Sequence, residues 1–249
     1  MIQTIFKRVE TKYILSEKQV EQLLSIIEPY LKKDQYFKGT NMSIYFDTDS
    51  RWLGIHSLEK PLYKEKIRIR SYGVPKGMNE TVFFEIKKKF DGVGYKRRIP
   101  ISLANYYKFC ADREAEYLGD DGSLKMAVDQ PGSVKNYSDN PQIEEEVRYC
   151  FRYYHLRPAL FLAYDRTSYV DEEDPTFRLT FDRNVRSREK DLRLEAGDYG
   201  DLYFKHGEIV MEVKSAERYP KWFVDAISRL KIYPASFSKY GKVLQKLYG

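Results

Sequence analysis

The chain has 249 residues, with 43 Lys and Arg against 37 Asp and Glu, a formal net charge of +6. A chain of this length buries about 70% of its unfolded surface without staples, and no apolar run approaches the ~20 residues of a membrane helix. Two cysteines (Cys110, Cys150) and three scattered histidines (His56, His155, His206) lack metal-ligand or disulfide spacing, the aromatic content of 15% is too high for a disordered polyampholyte, and the N-terminus has no signal-peptide core, so a cytoplasmic protein is expected.

No repeat or long linker divides the sequence, which reads as one domain over 1–249 with an insertion loop near 119–141. The first strand, 5–15, sets Arg8, Glu10 and Lys12 on one face and Ile5, Val9, Tyr13 and Leu15 on the other. Ser16 and Gln19 form a capping box for a helix carrying Val20, Leu23, Leu24, Ile27 and Leu31, with Pro29 kinking or ending it. Alternation resumes in 41–47, where Asn41, Ser43 and Asp47 oppose Met42, Ile44 and Phe46. In 62–73, Lys66, Arg68 and Arg70 oppose Ile67 and Ile69, and in 82–89, Glu85 and Lys87 oppose Phe84 and Ile86. The segment 94–100 pairs Lys96 with Arg98.

Beyond the insertion, Ile143, Val147, Cys150, Phe151 and Tyr154 mark a helix over 142–156. The strand 160–170 carries Arg166 with Ser168, and the acidic run Asp171–Pro175 reads as a solvated turn, since it lacks the glycine and spacing of a calcium loop. The next strand opposes Arg178, Thr180 and Asp182 to Phe177, Leu179 and Phe181; the last opposes Glu208, Glu212 and Lys214 to Ile209, Met211 and Val213. Helices over 220–231, opening at Pro220, and 236–247 close the chain.

Eight strands thus each carry a charged face, and over these faces together basic residues 8, 12, 66, 68, 70, 87, 96, 98, 166, 178 and 214 outnumber acidic residues 10, 47, 85, 182, 208 and 212. An antiparallel sheet with a solvated face is the plain explanation. However, three basic side chains at successive same-face positions repel one another unless an anion sits among them. Closing about eight strands into an antiparallel barrel would turn the charged face inward and leave the apolar face to amphipathic helices, an α+β fold with a basic tunnel for a multivalent anion.

The segments FKRVETKY (6–13), IYFDT (44–48), KEKIRIRSYG (64–73), FEIK (84–87), YKRR (95–98), YDRT (164–167), MEVK (211–214) and FSKY (237–240) resemble, in order and spacing, the VTC (vacuolar transporter chaperone) polyphosphate polymerase domain. That family lies within the CYTH, or triphosphate tunnel metalloenzyme, superfamily. The resemblance implies transfer of the γ-phosphate of ATP onto a growing polyphosphate chain. It implies phosphate ligands at Lys12, Arg68, Arg70, Lys87, Lys96, Arg166, Arg178, Ser238 and Lys239, with Arg68, Arg70, Lys87, Arg166 and Glu212 catalytic, and Glu212 as the ligand of Mn²⁺ or Mg²⁺. The superfamily's first strand reads Glu-x-Glu-x-Lys, whereas this chain has Arg8 at the first position, a departure that favours the polymerase branch over the tripolyphosphatase and cyclase branches.

The partners implied are ATP and inorganic polyphosphate, with no nucleic acid and no intrinsic membrane segment. Competing readings are an inorganic tripolyphosphatase or nucleoside triphosphate phosphohydrolase, and a non-catalytic polyphosphate-binding module. At single residues, Arg166 could simply salt-bridge Asp182, Glu212 and Lys214 could be an edge-strand surface pair, and Lys239 a solvated helix charge.

Overall fold

The computed structural model describes residues 9–117, 136–204, 207–216 and 218–249. Arg8 and His206, and most of the expected insertion over 119–141, lie outside the described residues. The chain divides into two compact units: residues 1–41, 162–187 and 199–249 form the first, and 42–161 and 188–198 the second.

The first unit contains β1 (Val9–Leu15), α1 (Glu17–Ile27), a 3₁₀ turn over Glu28–Tyr30, most of β2 (Leu31–Asp47) and most of β6 (Arg157–Asp171). It also holds β7 (Arg178–Arg188, all but its last residue), β8 (Asp201–Leu202), β9 (Ile209–Ser215), α5 (Lys221–Arg229) and α6 (Lys239–Tyr248). Its strand order is β1-β9-β7-β6-β2, with β8 on β7. The expected capping box is present: Ser16 accepts from the Gln19 N–H while Gln19 reaches back to the Ser16 N–H. Val20, Leu23 and Ile27 then pack with Tyr13, Leu179, Phe181, Met211 and Phe223 in one buried cluster. Full burial of side chains of this kind is worth about 1.5–3 kcal/mol each. Gly200 lets β8 approach β7, because a Cβ there would lie 2.6 Å from the Ser187 carbonyl oxygen.

The second unit contains α2 (Trp52–His56), β3 (Tyr63–Tyr72), β4 (Thr81–Phe90), β5 (Val93–Ser102), α3 (Leu103–Tyr117) and α4 (Pro141–Tyr154). Strands are ordered β2-β3-β4-β5. Phe46, Phe84, Phe109 and Phe151 interlock on the apolar side of this sheet, with adjacent ring centroids 4.8–6.2 Å apart.

All eight expected strands are present, together with β8, and β1–β9, β3–β4, β4–β5, β7–β8 and β7–β9 pair antiparallel. The hydrogen-bonded path runs through eight strands, with β8 off it on β7, and ends at β1 and at β5, so backbone pairing among the described residues gives an open sheet. Three local expectations change. Strand β2 begins at Leu31 rather than 41, because the helix yields at Pro29 to a 3₁₀ turn and the chain extends directly from it. Helices α2 and α3 go unanticipated: Asp47 accepts from the Leu53 and Gly54 N–H groups to start α2, and Ser102 accepts from the Asn105 N–H to start α3. The last helix starts at Lys239 instead of 236, since Ser238 is extended and caps it.

Candidate functional site

In the second unit, the inter-strand register lines up Arg68, Glu85 and Arg98 in one row across β3, β4 and β5, and Lys66, Lys87 and Lys96 in the next. Glu85 is the hub. Its carboxylate accepts from Arg68 Nε at 2.7 Å, and Arg68 Nη1 donates to the Tyr45 hydroxyl at 2.8 Å. Lys96 Nζ lies 2.7 Å from Glu85 Oε1, Arg98 Nε 3.6 Å from the same oxygen, and Arg70 Nε 3.9 Å from Oε2. A single buried carboxylate thus gathers Arg68, Arg70, Lys96 and Arg98. Burial alone would raise the Glu85 pKa, but Arg68, Arg70 and Lys96 together hold it far below the ordinary carboxylate range. Lys96 moves the other way: burial, reinforced by Arg68 and Arg70, lowers its pKa despite the Glu85 contact. Four cations meet one acid here, and among the described residues the buried Arg98 Nε–H has no hydrogen-bond acceptor.

In the first unit, Lys12 stands opposite Glu212 in the β1–β9 register. Lys12 Nζ donates to Glu10 Oε1 at 2.7 Å and lies 3.9 Å from Glu212 Oε2, while Lys214 Nζ is 2.5 Å from Glu212 Oε1. On β7, Asp182 is fully buried and takes a bidentate pair from Arg166, Nε to Oδ1 at 2.6 Å and Nη2 to Oδ2 at 2.8 Å. Lys239 Nζ meets Asp182 Oδ2 at 2.5 Å and sits 4.7 Å from the centre of the Tyr164 ring, which Arg166 also approaches. Burial opposes ionisation of Glu212, yet Lys214, Lys12, Lys239 and Arg166 hold its pKa well below the ordinary value. Asp182 is lowered against burial by Lys239 and Arg166. Lys12 is raised, because Glu212, Glu10 and Asp182 outweigh its desolvation.

Within each unit the expected basic residues gather on acids. Arg68, Arg70 and Lys96 meet at Glu85; Arg166 and Lys239 meet at Asp182; Lys12 meets Glu212. Lys87 is exposed between Lys66 and Lys96 in the strand register. Arg178 is half-exposed, opposite Lys214 in register and 3.6 Å from Asp34. The Ser238 hydroxyl accepts from the Gly241 N–H as the cap of α6. The Arg166–Asp182 bridge read as an alternative is real, and so is the Glu212–Lys214 pair, but β9 lies between β1 and β7 and is not an edge. Lys239 is no solvated charge: its side chain is only 10% exposed.

The residues that sequence reasoning underrated are the acids Glu85 and Asp182, each recorded as one charge on a mixed face. Their signal was placement, Glu85 between two arginine-bearing strands and Asp182 one strand from Arg166. Among the described residues no group of three His, Cys, Asp or Glu side chains could cage a metal. Glu212 and Glu10, both beside Lys12 on adjacent strands, fit instead a hard divalent cation that takes one or two carboxylates and completes its shell with phosphate oxygens.

The VTC domain model matches residues 7–248. The chain is 26% identical over 205 residues to the vacuolar transporter chaperone complex subunit 4 of Schizosaccharomyces pombe, covering 78% of this chain and 28% of that protein's length. Its fold is similar to a crystal structure from Bacillus halodurans assigned as a candidate adenylate cyclase, with a TM-score of 0.52, 13% identity and 97% of each chain covered. That likeness carries the fold alone, a mostly antiparallel α+β architecture. The family match extends over nearly the whole sequence, and the chain belongs to the VTC domain family.

Proposed function

We propose that the protein is a metal-dependent polyphosphate polymerase that transfers the γ-phosphate of ATP onto the end of an inorganic polyphosphate chain. The observation that carries this reading is the cation excess around Glu85, where a lysine is pushed down in pKa and a buried arginine N–H lacks an acceptor. Such a cluster is completed by a polyanion with many acceptor oxygens. Membership of the VTC domain family supports a phosphate chain as that polyanion.

Arg68, Arg70, Lys87 and Lys96 would hold phosphate oxygens through charge-assisted hydrogen bonds. Lys12, Arg166, Arg178 and Lys239 would do the same in the first unit, where the positive end of the α6 dipole, beside Ser238, also favours phosphate. Arg68 is fixed from both sides by Glu85 and Tyr45, so its guanidinium does not have to reorganise as charge develops. Phosphoryl transfer needs alignment of acceptor oxygen, phosphorus and leaving oxygen more than it needs covalent help. The acceptor is a phosphate oxygen that is already deprotonated, so no general base is assigned. When bound at Glu212, Mn²⁺ or Mg²⁺ supplies Lewis-acid neutralisation of phosphate charge. Partners in a larger assembly are proposed on the strength of the yeast relative, which is named as a complex subunit.

Incubation of the purified protein with ATP and Mn²⁺ or Mg²⁺, with products resolved on a gel that separates polyphosphate from orthophosphate, tests the reading. A ladder of polyphosphate is expected. Orthophosphate alone would make the protein a phosphohydrolase, and retention of added polyphosphate without turnover would make it a binding module.

A further inference from the structure

The β4–β5 hairpin of the second unit has two faces that differ sharply in chemistry. Asp91 and Gly92, at φ 43° and 81°, form its two-residue turn, with Phe90 paired to Val93. One face of the β3–β4–β5 tip carries Lys64 opposite Lys89, then the Lys66, Lys87 and Lys96 row. The other face carries Tyr63, Phe90 and Val93 in one row and Glu65, Lys88 and Tyr95 in the next, with Glu65 buried. Deeper along that same face, Ile67, Ile86 and Ile99 are at most 1% exposed, but at the tip Phe90, Val93 and Tyr95 are 51%, 54% and 59% exposed. Leu62, whose carbonyl accepts from the Asp91 N–H at 2.9 Å, is 64% exposed beside them. The apolar face therefore outruns the cover that buries its inner end.

Charge decides what suits it. Lys60 and Lys89 crowd Lys64 closely enough that, after burial, they are the causes of its lowered pKa. A second copy of the chain would bring these lysines against one another. Aliphatic Leu62 and Val93 have nothing to recognise on a nucleic-acid backbone. Exposed Phe, Tyr, Leu and Val flanked by lysines match an anionic lipid surface, where rings and aliphatic groups enter the headgroup boundary and long lysine stems carry their charges to the phosphates. We propose that this hairpin tip, with Leu62, Phe90, Val93 and Tyr95 as the inserting groups and Lys60, Lys64, Lys88 and Lys89 as the charged rim, docks the protein peripherally on anionic membranes. The proposal does not depend on the polymerase reading, and the inserting groups take no part in that chemistry.

Sedimentation with phosphatidylcholine vesicles, with and without phosphatidylglycerol, tests it. The full chain is expected to sediment only with the anionic vesicles and to be released as salt rises. The Phe90→Ser/Val93→Ser variant should lose about tenfold or more in vesicle affinity, and Lys60→Gln and Lys89→Gln about fivefold each, with ATP turnover in solution unchanged. In a separate variant, Phe90→Trp, additional indole emission should shift to the blue on anionic vesicles alone. Absence of sedimentation at low salt, undiminished binding in the Phe90→Ser/Val93→Ser variant, or no blue shift in Phe90→Trp would overturn the proposal. So would a hairpin-dependent shift of single-stranded RNA in the absence of vesicle binding.

Discussion

Two lysines with carboxylate partners at the same 2.7 Å behave in opposite ways. Lys96, on Glu85, has a lowered pKa, whereas Lys12, on Glu10 and near Glu212, has a raised one. The difference lies in the company each keeps. Around Glu85 a single acid meets Arg68, Arg70, Lys96 and Arg98, and at Lys96 burial, reinforced by Arg68 and Arg70, outweighs the attraction of that acid. Around Glu212 and Asp182 the acids nearly match the bases, so a lysine gains by staying charged. A pair distance therefore says little about a site until every charge around the pair is counted. Among the described residues the Glu85 cluster sets one acid against four cations, whereas the first-unit cluster sets Glu10, Glu212 and Asp182 against Lys12, Lys214, Arg166 and Lys239.

The contrast predicts that the clusters fail differently when cut. The largest effect is expected from Asp182→Ala. It removes a fully buried carboxylate and strands Arg166 and Lys239, and breaking a buried pair on one side costs about 3–5 kcal/mol. Urea titration of the ligand-free protein would show it as a large drop in midpoint; a drop no bigger than that of an exposed substitution would mean that the first-unit cluster is not held together by its acids.

Arg68→Ala should show the reverse balance. Glu85 keeps Arg70, Lys96 and Arg98, so stability should fall only by about 1–2 kcal/mol. This corrects the simple expectation that removing one charge from a repulsive basic row is free, because Arg68 is also the bidentate partner of a buried acid. Turnover should fall about 10²- to 10³-fold, the usual loss for one preorganised donor to developing negative charge. Thermal melts run beside the ATP assay separate the two; an unfolded Arg68→Ala protein would make this cluster structural.

Acid should weaken both clusters through the same sign. Glu85, Asp182 and Glu212 all have folded pKa values depressed below their ordinary values, so their contribution is fully present above the ordinary carboxylate pKa of about 4. It is lost as pH falls from there through the depressed values. Melting temperature should be nearly level from neutral pH down to about 5 and then decline. Asp182→Asn should shallow that decline, and an equally steep fall in Asp182→Asn would remove Asp182 from the set of groups responsible.

Much of this was legible in the alternation of side chains, because period two fixes which residues share a face whatever the sheet does later. Lys66, Arg68 and Arg70 were grouped correctly for that reason, and Ser16 and Gln19 marked α1 through a purely local device. Glu85 was not legible as a hub, since its importance comes from Arg68 and Arg98 on the strands either side, and registers between strands are not written in any one strand. Asp182 was hidden similarly: Lys239 reaches it from a helix 57 positions later in the chain. Helix α3 was missed because its start is set by Ser102 at the end of a strand, where alternation dominates the pattern.

The smallest expected effect sharpens the comparison at its edge. Arg178 is half-exposed, and its ion pair with Asp34 is long at 3.6 Å. A pair of that kind contributes little, so Arg178→Ala should change stability by no more than about 0.5 kcal/mol. It nevertheless stands opposite Lys214, the residue that holds Glu212, in the β7–β9 register. With stability unmoved, any change in polyphosphate synthesis reports on contact with substrate alone. We expect a loss of KM-type binding, with a higher ATP or polyphosphate requirement and a nearly unchanged maximal rate, because an arginine at the exposed margin holds ground state and transition state about equally. A fall in maximal rate as large as that of Arg68→Ala would show that Arg178 swings in to the reacting phosphate, and the division into an anion-poor and an anion-rich cluster would then have to include a third, mobile cation.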